Sequence, residues 1–178
     1  MRNLKTLISL LALSVALIAV PTAAAKLRTV GSSSGNPTMN ECAASIDCTY
    51  INFHNGKPTD VVKKNGTVTS WSLNAASTGG QVQLRILRPA AGGQFKAIRS
   101  SGLETVSGTG VNTFTTHLKV RRGDVLALSN DSSGLYMEAA PANTCVRFFN
   151  SPFGDGSTGT PSQNVSELHL LLSAQVRS

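Results

Sequence analysis

The feature that most narrows the possible folds is an alternation of apolar and polar side chains along short segments of the chain. Ile51 and Phe53 fall on one parity, whereas Asn52 and His54 fall on the other. A period of two is that of a β-strand with one buried face, because successive side chains point to opposite sides of a sheet. Similar alternation or short apolar runs occur at 67–74, 82–87, 114–120, 125–128 and 168–176. Helical periodicity is confined to the first 20 residues, so the sequence indicates an all-β protein.

Turn-forming residues separate these segments. Gly, Asn, Asp, Ser and Pro cluster at 65–66, 79–80, 89–93, 108–110, 122–124 and 132–134. Turns spaced about 8–15 residues apart are typical of sandwiches and barrels. We therefore predict an antiparallel two-sheet β-sandwich of about eight to ten strands, with a jelly roll as the favoured topology. An immunoglobulin-like sandwich is less favoured, because Cys48, Trp71 and Cys145 imitate its cysteine–tryptophan–cysteine arrangement only loosely.

The first 25 residues have the organisation of an export signal. Arg2 and Lys5 supply the positive region, 7–20 is apolar, and the small residues 23–25 allow cleavage before Lys26. The apolar stretch is shorter than the roughly 20 residues of a membrane span. We expect a secreted, extracellular protein that keeps no integral membrane segment after cleavage.

This signal divides the chain into three parts. We predict a signal peptide at 1–25, a flexible N-terminal segment at 26–47 and a single β-sandwich domain at 48–178. The middle segment is predicted to be flexible because a Gly-Ser-Ser-Ser-Gly-Asn-Pro run at 31–37 is low in complexity.

Three cysteines in an exported chain raise the question of a disulfide. Cys42 and Cys48 lie six positions apart and are the first choice for a pair, with Cys145 left buried and free as a small apolar residue. A Cys48–Cys145 bridge is the second choice, because spacing alone does not fix connectivity. The chain has no Cys-x-x-Cys motif that would indicate a redox role or a zinc ribbon.

Basic residues outnumber acidic ones by 16 to 9, which gives a net charge of +7. They are partly grouped, in one predicted hairpin and at the end of another strand: Arg85, Arg88, Lys96, Arg99, Lys119, Arg121 and Arg122. Such a group is either a solvated face or a positive face for a polysaccharide or an anionic cell-envelope polymer. Export and an aromatic content of only 5% weigh against nucleic acid as a partner.

Candidate binding residues follow from the same reasoning. Tyr136 and Phe153 are the aromatic side chains that we expect at the surface, where they would offer apolar contact to a ligand. Asp155 lies in the same loop as Phe153, and Arg85 and Arg88 supply positive charge. Trp71 alternates with a leucine and is expected in the core.

No catalytic or metal site is predicted. His54, His117 and His169 show no spacing that would bring them to one zinc ion. A hydrolase would need two carboxylates about 5–10 Å apart, and Glu138 lies in a strand-like run without an evident partner. No cofactor is expected, although a structural calcium ion held by backbone carbonyls stays open, because such ligands leave no trace in a sequence.

Three motifs of the central region occur together: Val68-Thr69-Ser70-Trp71, Arg85-Ile86-Leu87-Arg88-Pro89 and Gly123-Asp124. With them the chain resembles a group of uncharacterised secreted actinobacterial β-sandwich proteins over roughly residues 48–176. The resemblance implies a jelly-roll-like fold and an extracellular location. It implies no activity, so no functional residues follow from it.

The sequence supports three hypotheses about function. The first is a secreted, non-enzymatic protein that binds carbohydrate or cell-envelope components. The alternative is a structural or adhesion-like extracellular protein that contacts other proteins. The third is a polysaccharide hydrolase, which two carboxylates facing each other in a cleft would favour.

Overall fold

The structure is a computed structural model that describes residues 25–39, 48–130, 134–149 and 153–178. These residues form fifteen β-strands and one 3-10 turn, and all strand pairings among them are antiparallel. The all-β prediction is confirmed. The strands are β1 Leu27–Gly31, β2 Cys48–His54, β3 Lys57–Pro58, β4 Gly66–Ala75, β5 Gln81–Pro89, β6 Phe95–Ser100, β7 Glu104–Thr105, β8 Gly110–Val120, β9 Val125–Asn130, β10 Met137–Ala139, β11 Thr144–Phe149, β12 Thr158–Gly159, β13 Gln163–Ser166, β14 Leu168–Leu170 and β15 Leu172–Arg177.

The strands are distributed over two main sheets. The small sheet has the order β1-β15-β4-β8, and the large sheet has the order β12-β6-β5-β9-β2-β11-β13, with β3 and β7 added on β2 and β5. The chain crosses repeatedly between the two sheets, and its first strand pairs with its last. This order is that of a jelly roll, to which β11 and β13 add strands beside β2. A separate ribbon of β10 and β14 lies beside the sandwich.

The number of strands exceeds the predicted eight to ten only because of short pieces. Nine of the described strands have five or more residues. The other six have two to four residues. Such pieces are too short for an alternating pattern to indicate them.

The main core lies between the two sheets. Trp71 and Leu73 of β4 face Leu84, Leu126 and other side chains of the large sheet, and all of these are fully buried. The Trp71 ring lies 4.6 Å from the ring of Phe114 on the neighbouring strand, measured between centroids, so its prediction as a core residue is confirmed. Burial of each large apolar side chain of this kind contributes about 1.5–3 kcal/mol.

A second apolar cluster covers the outer face of the large sheet. Ile51 and Phe53 of β2 belong to it, which explains why both faces of that strand are buried. Phe153 closes the cluster, since its ring stacks on that of Phe149 at 4.0 Å between centroids and 11° between planes. The prediction that Phe153 is exposed is wrong: 5% of the residue is accessible, because its loop packs over apolar side chains that this sheet face presents.

Residues 26–39 are also placed differently from the prediction of a flexible segment. Five of them form β1, which pairs along its whole length with β15, and Val30 lies in the core. Met39 forms a bridge to Met137. The Gly-Ser run therefore follows a core strand instead of leading into the domain, and the prediction of flexibility is wrong for this part of the segment.

The cysteine alternatives are partly settled. Cys145 is a free thiol, half-buried against the outer cluster, so the Cys48–Cys145 bridge is wrong. Cys42 and residues 1–24 of the predicted signal peptide lie outside the described residues, so the Cys42–Cys48 pair and the signal remain predictions. Within the described residues the structure contains no helix long and apolar enough to span a membrane.

Candidate functional site

A cleft of about 440 Å³ opens where β4 begins and β8 ends, next to the β5–β6 hairpin. Four cationic side chains and no carboxylate are among its lining residues, and we call it the basic cleft. Its lining consists of Asn65, Gly66, Thr67, Arg88, Ile98, Arg99, Lys119, Val120 and Arg121.

Strand register brings these residues together. β4 and β8 pair so that Thr67 lies opposite Lys119, and the backbone N–H of Arg122 donates to the Asn65 side-chain oxygen at 2.8 Å. Arg99 pairs with the middle of β5 just before a bulge in the β5–β6 ladder. A bulge inserts one extra residue and re-aims the side chains beside it. The cleft thus combines residues from four strands, β4, β5, β6 and β8.

Arg88 is held in place by a buried aspartate. Its Nε and Nη2 donate to the two carboxylate oxygens of Asp124 at 2.8 and 3.1 Å, and Asp124 also accepts the backbone N–H of Arg121 at 2.8 Å. The Asp124 side chain is 1% exposed and that of Arg88 is 37% exposed. The hydrogen bonds to Asp124 raise the pKa of Arg88 above its usual value. Arg88 is therefore a fixed cation. Its third nitrogen, Nη1, makes no hydrogen bond to Asp124.

The structure separates Arg85 from Arg88. Arg85 lies on the outer side of the large sheet, where Nε donates to the Ser129 hydroxyl and Nη1 lies 3.6 Å from the Asp155 carboxylate. The Asp155 side chain is about half exposed, whereas that of Arg85 is 12% exposed, so only the carboxylate of this pair is well hydrated. The two arginines and Asp155, all predicted as binding residues, do not form one site.

Tyr136 is fully buried, and the prediction that it lies at the surface is wrong. The backbone around it is tied to the sandwich, since the Ala76 N–H donates to the Leu135 carbonyl and the Leu171 N–H donates to the Tyr136 carbonyl. This places the ring in the main core, close against Gly134. A side chain at 134 would overlap the ring, so glycine is needed there.

Three further basic residues lie beside the cleft and were not singled out from the sequence. Arg28, Lys63 and Lys64 line a pocket of about 90 Å³ together with Val62 and Val176. We call it the small basic pocket. Lys64 directly precedes the cleft residue Asn65, so the two cavities are neighbours. The adjacent lysines before the Asn-Gly turn are the sequence signal that could have indicated this extension.

The small basic pocket contains an unsatisfied donor. Nε of Arg28 is buried and has no hydrogen-bond partner among the described residues. A buried N–H group without an acceptor costs free energy comparable to its desolvation.

A different cavity, of about 350 Å³, lies near the ends of β1 and β2 and beside the β10–β14 ribbon. It is lined by two carboxylates and two imidazoles but by no Lys or Arg, and we call it the carboxylate pocket. Its lining consists of Gly31, Ser32, His54, Thr59, Asp60, Glu138, Ala139, Ala140, Pro141, Thr144 and His169.

Asp60 is nearly enclosed by neutral partners. It is 4% exposed, and its oxygens accept hydrogen bonds from the Asn52 amide at 2.8 Å and the Thr59 hydroxyl at 3.3 Å. Asn52 is itself fixed by two bonds to the backbone of Leu170. Burial raises the pKa of Asp60 above its usual 3.8, against the opposing effects of the Asn52 bond and the nearby His169.

The remaining polar groups of the carboxylate pocket are paired across strands. Glu138 lies opposite His169 in the β10–β14 ribbon and accepts the backbone N–H of Asn36 at 2.9 Å. His54 lies opposite Thr144, and its Nδ1 is 3.2 Å from the Thr144 hydroxyl. In the described part of the chain, no three His, Cys, Asp or Glu side chains are arranged to hold a metal ion.

Comparisons with known proteins give little guidance. No family model and no curated protein matches the sequence. A similar solved structure is that of the cysteine protease and lectin-like domains of Cwp84, a surface layer associated protein of Clostridium difficile, at 12% identity and a TM-score of 0.47. The match covers 76% of this chain and 33% of the length of that one. A likeness at this level carries no argument about function.

Proposed function

We propose that the protein is an exported, non-enzymatic binding module that holds an anionic polysaccharide or cell-envelope polymer in the basic cleft. The observation that carries the proposal is the convergence of four cationic side chains on one open cavity whose lining includes no carboxylate. A concave site lined by charge of one sign focuses its field and concentrates ligands of the opposite sign.

The chemistry of the cleft suits carboxylate, sulfate or phosphate groups. Three of its four cations are arginines, whose planar guanidinium groups form paired hydrogen bonds with such oxyanions. Arg88 is already oriented by Asp124, so less side-chain entropy is lost when a ligand binds to it.

The neighbouring small basic pocket favours an extended ligand over a small ion. Arg28, Lys63 and Lys64 continue the positive surface beyond the cleft, and Nε of Arg28 lacks an acceptor among the described residues. A polymer with regularly spaced negative charges could contact both cavities at once, and the contacts would then reinforce each other. The predicted signal at 1–25 would bring the protein to such polymers.

The two other hypotheses have less support. Asp60 and Glu138 line one cavity, which is the feature that a hydrolase requires. However, each oxygen of Asp60 already accepts a hydrogen bond from a neutral side chain, so this carboxylate is not free to act as the nucleophile or base that hydrolysis needs. No described feature singles out a protein partner for a structural or adhesion-like role.

The decisive experiment compares binding of the purified protein to dextran sulfate and to uncharged dextran. The variant Lys119→Gln/Arg121→Gln removes two charges from the cleft. The variant Lys26→Gln/Lys57→Gln removes two exposed charges that do not line it. If each cleft contact is worth about 0.7 kcal/mol, the cleft variant binds dextran sulfate about tenfold more weakly.

The control variant isolates the effect of net charge. It should bind dextran sulfate within about twofold of the unmodified protein, because distant exposed charges are screened over about 8 Å at physiological salt. Equal losses in the two variants would show that only the overall positive charge attracts the polymer, and the proposed cleft site would then be wrong.

A further inference from the structure

The carboxylate pocket differs from the basic cleft in that neither Lys nor Arg lines it. Two described carboxylates form ion pairs, Asp124 with Arg88 and Asp155 with Arg85. Asp60 and Glu138 have no Lys or Arg partner among the described residues, although the chain carries an excess of basic residues. This cavity therefore presents two carboxylates and two imidazoles but no Lys or Arg, on a protein whose net charge is positive.

The burial of Asp60 makes that imbalance costly. A carboxylate removed from water loses hydration that neutral hydrogen bonds replace only in part, so such groups are generally paired with a positive charge. The bonds from Asn52 and Thr59 and the nearby His169 offset this loss only in part, since burial still raises the pKa of Asp60. A cationic group in the cavity would supply the missing compensation.

The other lining residues indicate which further chemical groups a ligand of this pocket would carry. Ser32 and Thr59 carry hydroxyls, which can donate to and accept from the hydroxyl groups of a sugar. Consecutive small apolar residues, 139–141, form another part of the wall and are suited to contact with the C–H face of a sugar ring.

We infer that the carboxylate pocket binds an amine-bearing sugar, with the ammonium group placed near Asp60 and Glu138 and the ring against residues 139–141. The inference does not rest on the basic cleft, with which this pocket shares no lining residue. It gives the protein a second ligand class of opposite charge.

Three histidines provide the means to test it. His54 and His169 line the pocket, whereas His117 is an exposed residue of β8 that lines neither cavity. The ring signals of the full-length protein are followed by NMR during titration with glucosamine, N-acetylglucosamine, glucose or lysine amide. At about pH 7 an amine that resembles an α-amino group, with a pKa of about 7.7–8.0, is mostly protonated.

Glucosamine is expected to shift the signals of His54 and His169 in a saturable way and to leave that of His117 unchanged. N-acetylglucosamine and glucose have the same ring without the charge and should give shifts at least fivefold smaller. Equal shifts with N-acetylglucosamine, or none with glucosamine up to about 50 mM, would overturn the inference. Equal shifts with lysine amide would overturn the assignment of a sugar.

Two variants complete the test. Glu138→Gln removes one charge but keeps an oxygen for the Asn36 N–H, and glucosamine should bind at least fivefold more weakly to it; unchanged binding would contradict the inference. Glu104→Gln, which lies outside both cavities, should bind as the unmodified protein does. The cleft variant Lys119→Gln/Arg121→Gln should also bind glucosamine normally, so failure of one site does not imply failure of the other.

Discussion

Two buried aspartates show how differently the same residue can be accommodated in one sandwich. Asp124 at the basic cleft accepts a two-point bond from Arg88 and a backbone N–H. Asp60 at the carboxylate pocket accepts bonds only from the neutral side chains of Asn52 and Thr59. The first carboxylate orients a cation of the basic cleft, whereas the second has no Lys or Arg partner among the described residues. Burial alone therefore does not determine the role of a carboxylate. Its hydrogen-bond and ion-pair partners determine that role.

The largest expected effect comes from removal of the cation beside Asp124. Arg88→Met leaves that carboxylate buried with a single backbone donor, and we expect the free energy of unfolding to fall by about 2–3 kcal/mol at pH 7. The usual loss for a broken buried pair is about 3–5 kcal/mol, and the partial exposure of Arg88 reduces it. Urea denaturation measures the change.

A second variant checks that the charge of Asp124 is the cause. Adding Asp124→Asn to Arg88→Met neutralises the stranded carboxylate and should restore about 1 kcal/mol or more. A loss below about 0.5 kcal/mol in the single variant would mean that the two aspartates are not as different as their partners suggest.

A substitution of Asp60 is expected to raise the free energy of unfolding, whereas Arg88→Met is expected to lower it. Asp60→Asn keeps an oxygen for the Asn52 amide but removes the buried charge, so the free energy of unfolding should rise by about 1 kcal/mol at pH 7. Urea denaturation of this variant and of the unmodified protein gives the difference. A loss of stability of that size would show that the Asp60 charge is already compensated in the folded protein.

The free energies of unfolding of Asp60→Asn and of the unmodified protein should also differ in their dependence on pH. The pKa of Asp60 is raised in the folded state, so the folded protein holds this proton more tightly than the unfolded chain does. The stabilising contribution is complete below the usual value of 3.8 and is lost as the pH rises through the raised folded pKa. The advantage of Asp60→Asn should therefore grow over that window and be absent at the acidic end of a urea-denaturation series. An advantage that is independent of pH would exclude this titration as its cause.

The smallest effect is expected on the outer face of the large sheet. Arg85 and Asp155 approach only to 3.6 Å, and Asp155 is half exposed. Asp155→Ala should change the free energy of unfolding by less than about 0.5 kcal/mol, because water competes with Arg85 for this half-exposed carboxylate. Thermal denaturation at low and high salt would detect a larger contribution, which would place this pair closer to that of Asp124.

Much of the sandwich follows from the sequence, because alternation reports burial directly. The core position of Trp71 and the antiparallel sheets are of this kind. The alternation of Ile51 and Asn52 is not, because both faces of β2 are buried. The same rule also implies that Arg85 and Arg88, three positions apart on one strand, point to opposite faces. The sequence analysis nevertheless grouped the two arginines as binding residues, although this rule places them on different faces.

Other features depend on contacts that a sequence does not display. Phe153 was expected at the surface because it lies in a Ser-Pro-Phe-Gly-Asp-Gly loop, and Tyr136 was expected on an outer strand face. Their burial depends on which sheet face the following chain covers. The carboxylate pocket contains Asp60, Glu138 and His169. These residues are far apart in the sequence, and only the strand order of the sandwich brings them together. β1 was not predicted because it has only five residues and the Gly-Ser run that begins at its last residue indicates a flexible segment.

The pairing of β1 with β15 has a consequence for the order in which the protein forms. Thr29 and Gln175 exchange hydrogen bonds across 146 positions of the chain, so the small sheet stays incomplete until its last strand has been delivered. Folds dominated by such distant pairings form slowly, because a large loop must close before the contacts stabilise it. A chain that crosses a membrane with its N-terminus first, as the predicted signal implies, would therefore stay unfolded during export. Its small sheet would be completed only after β15 has crossed.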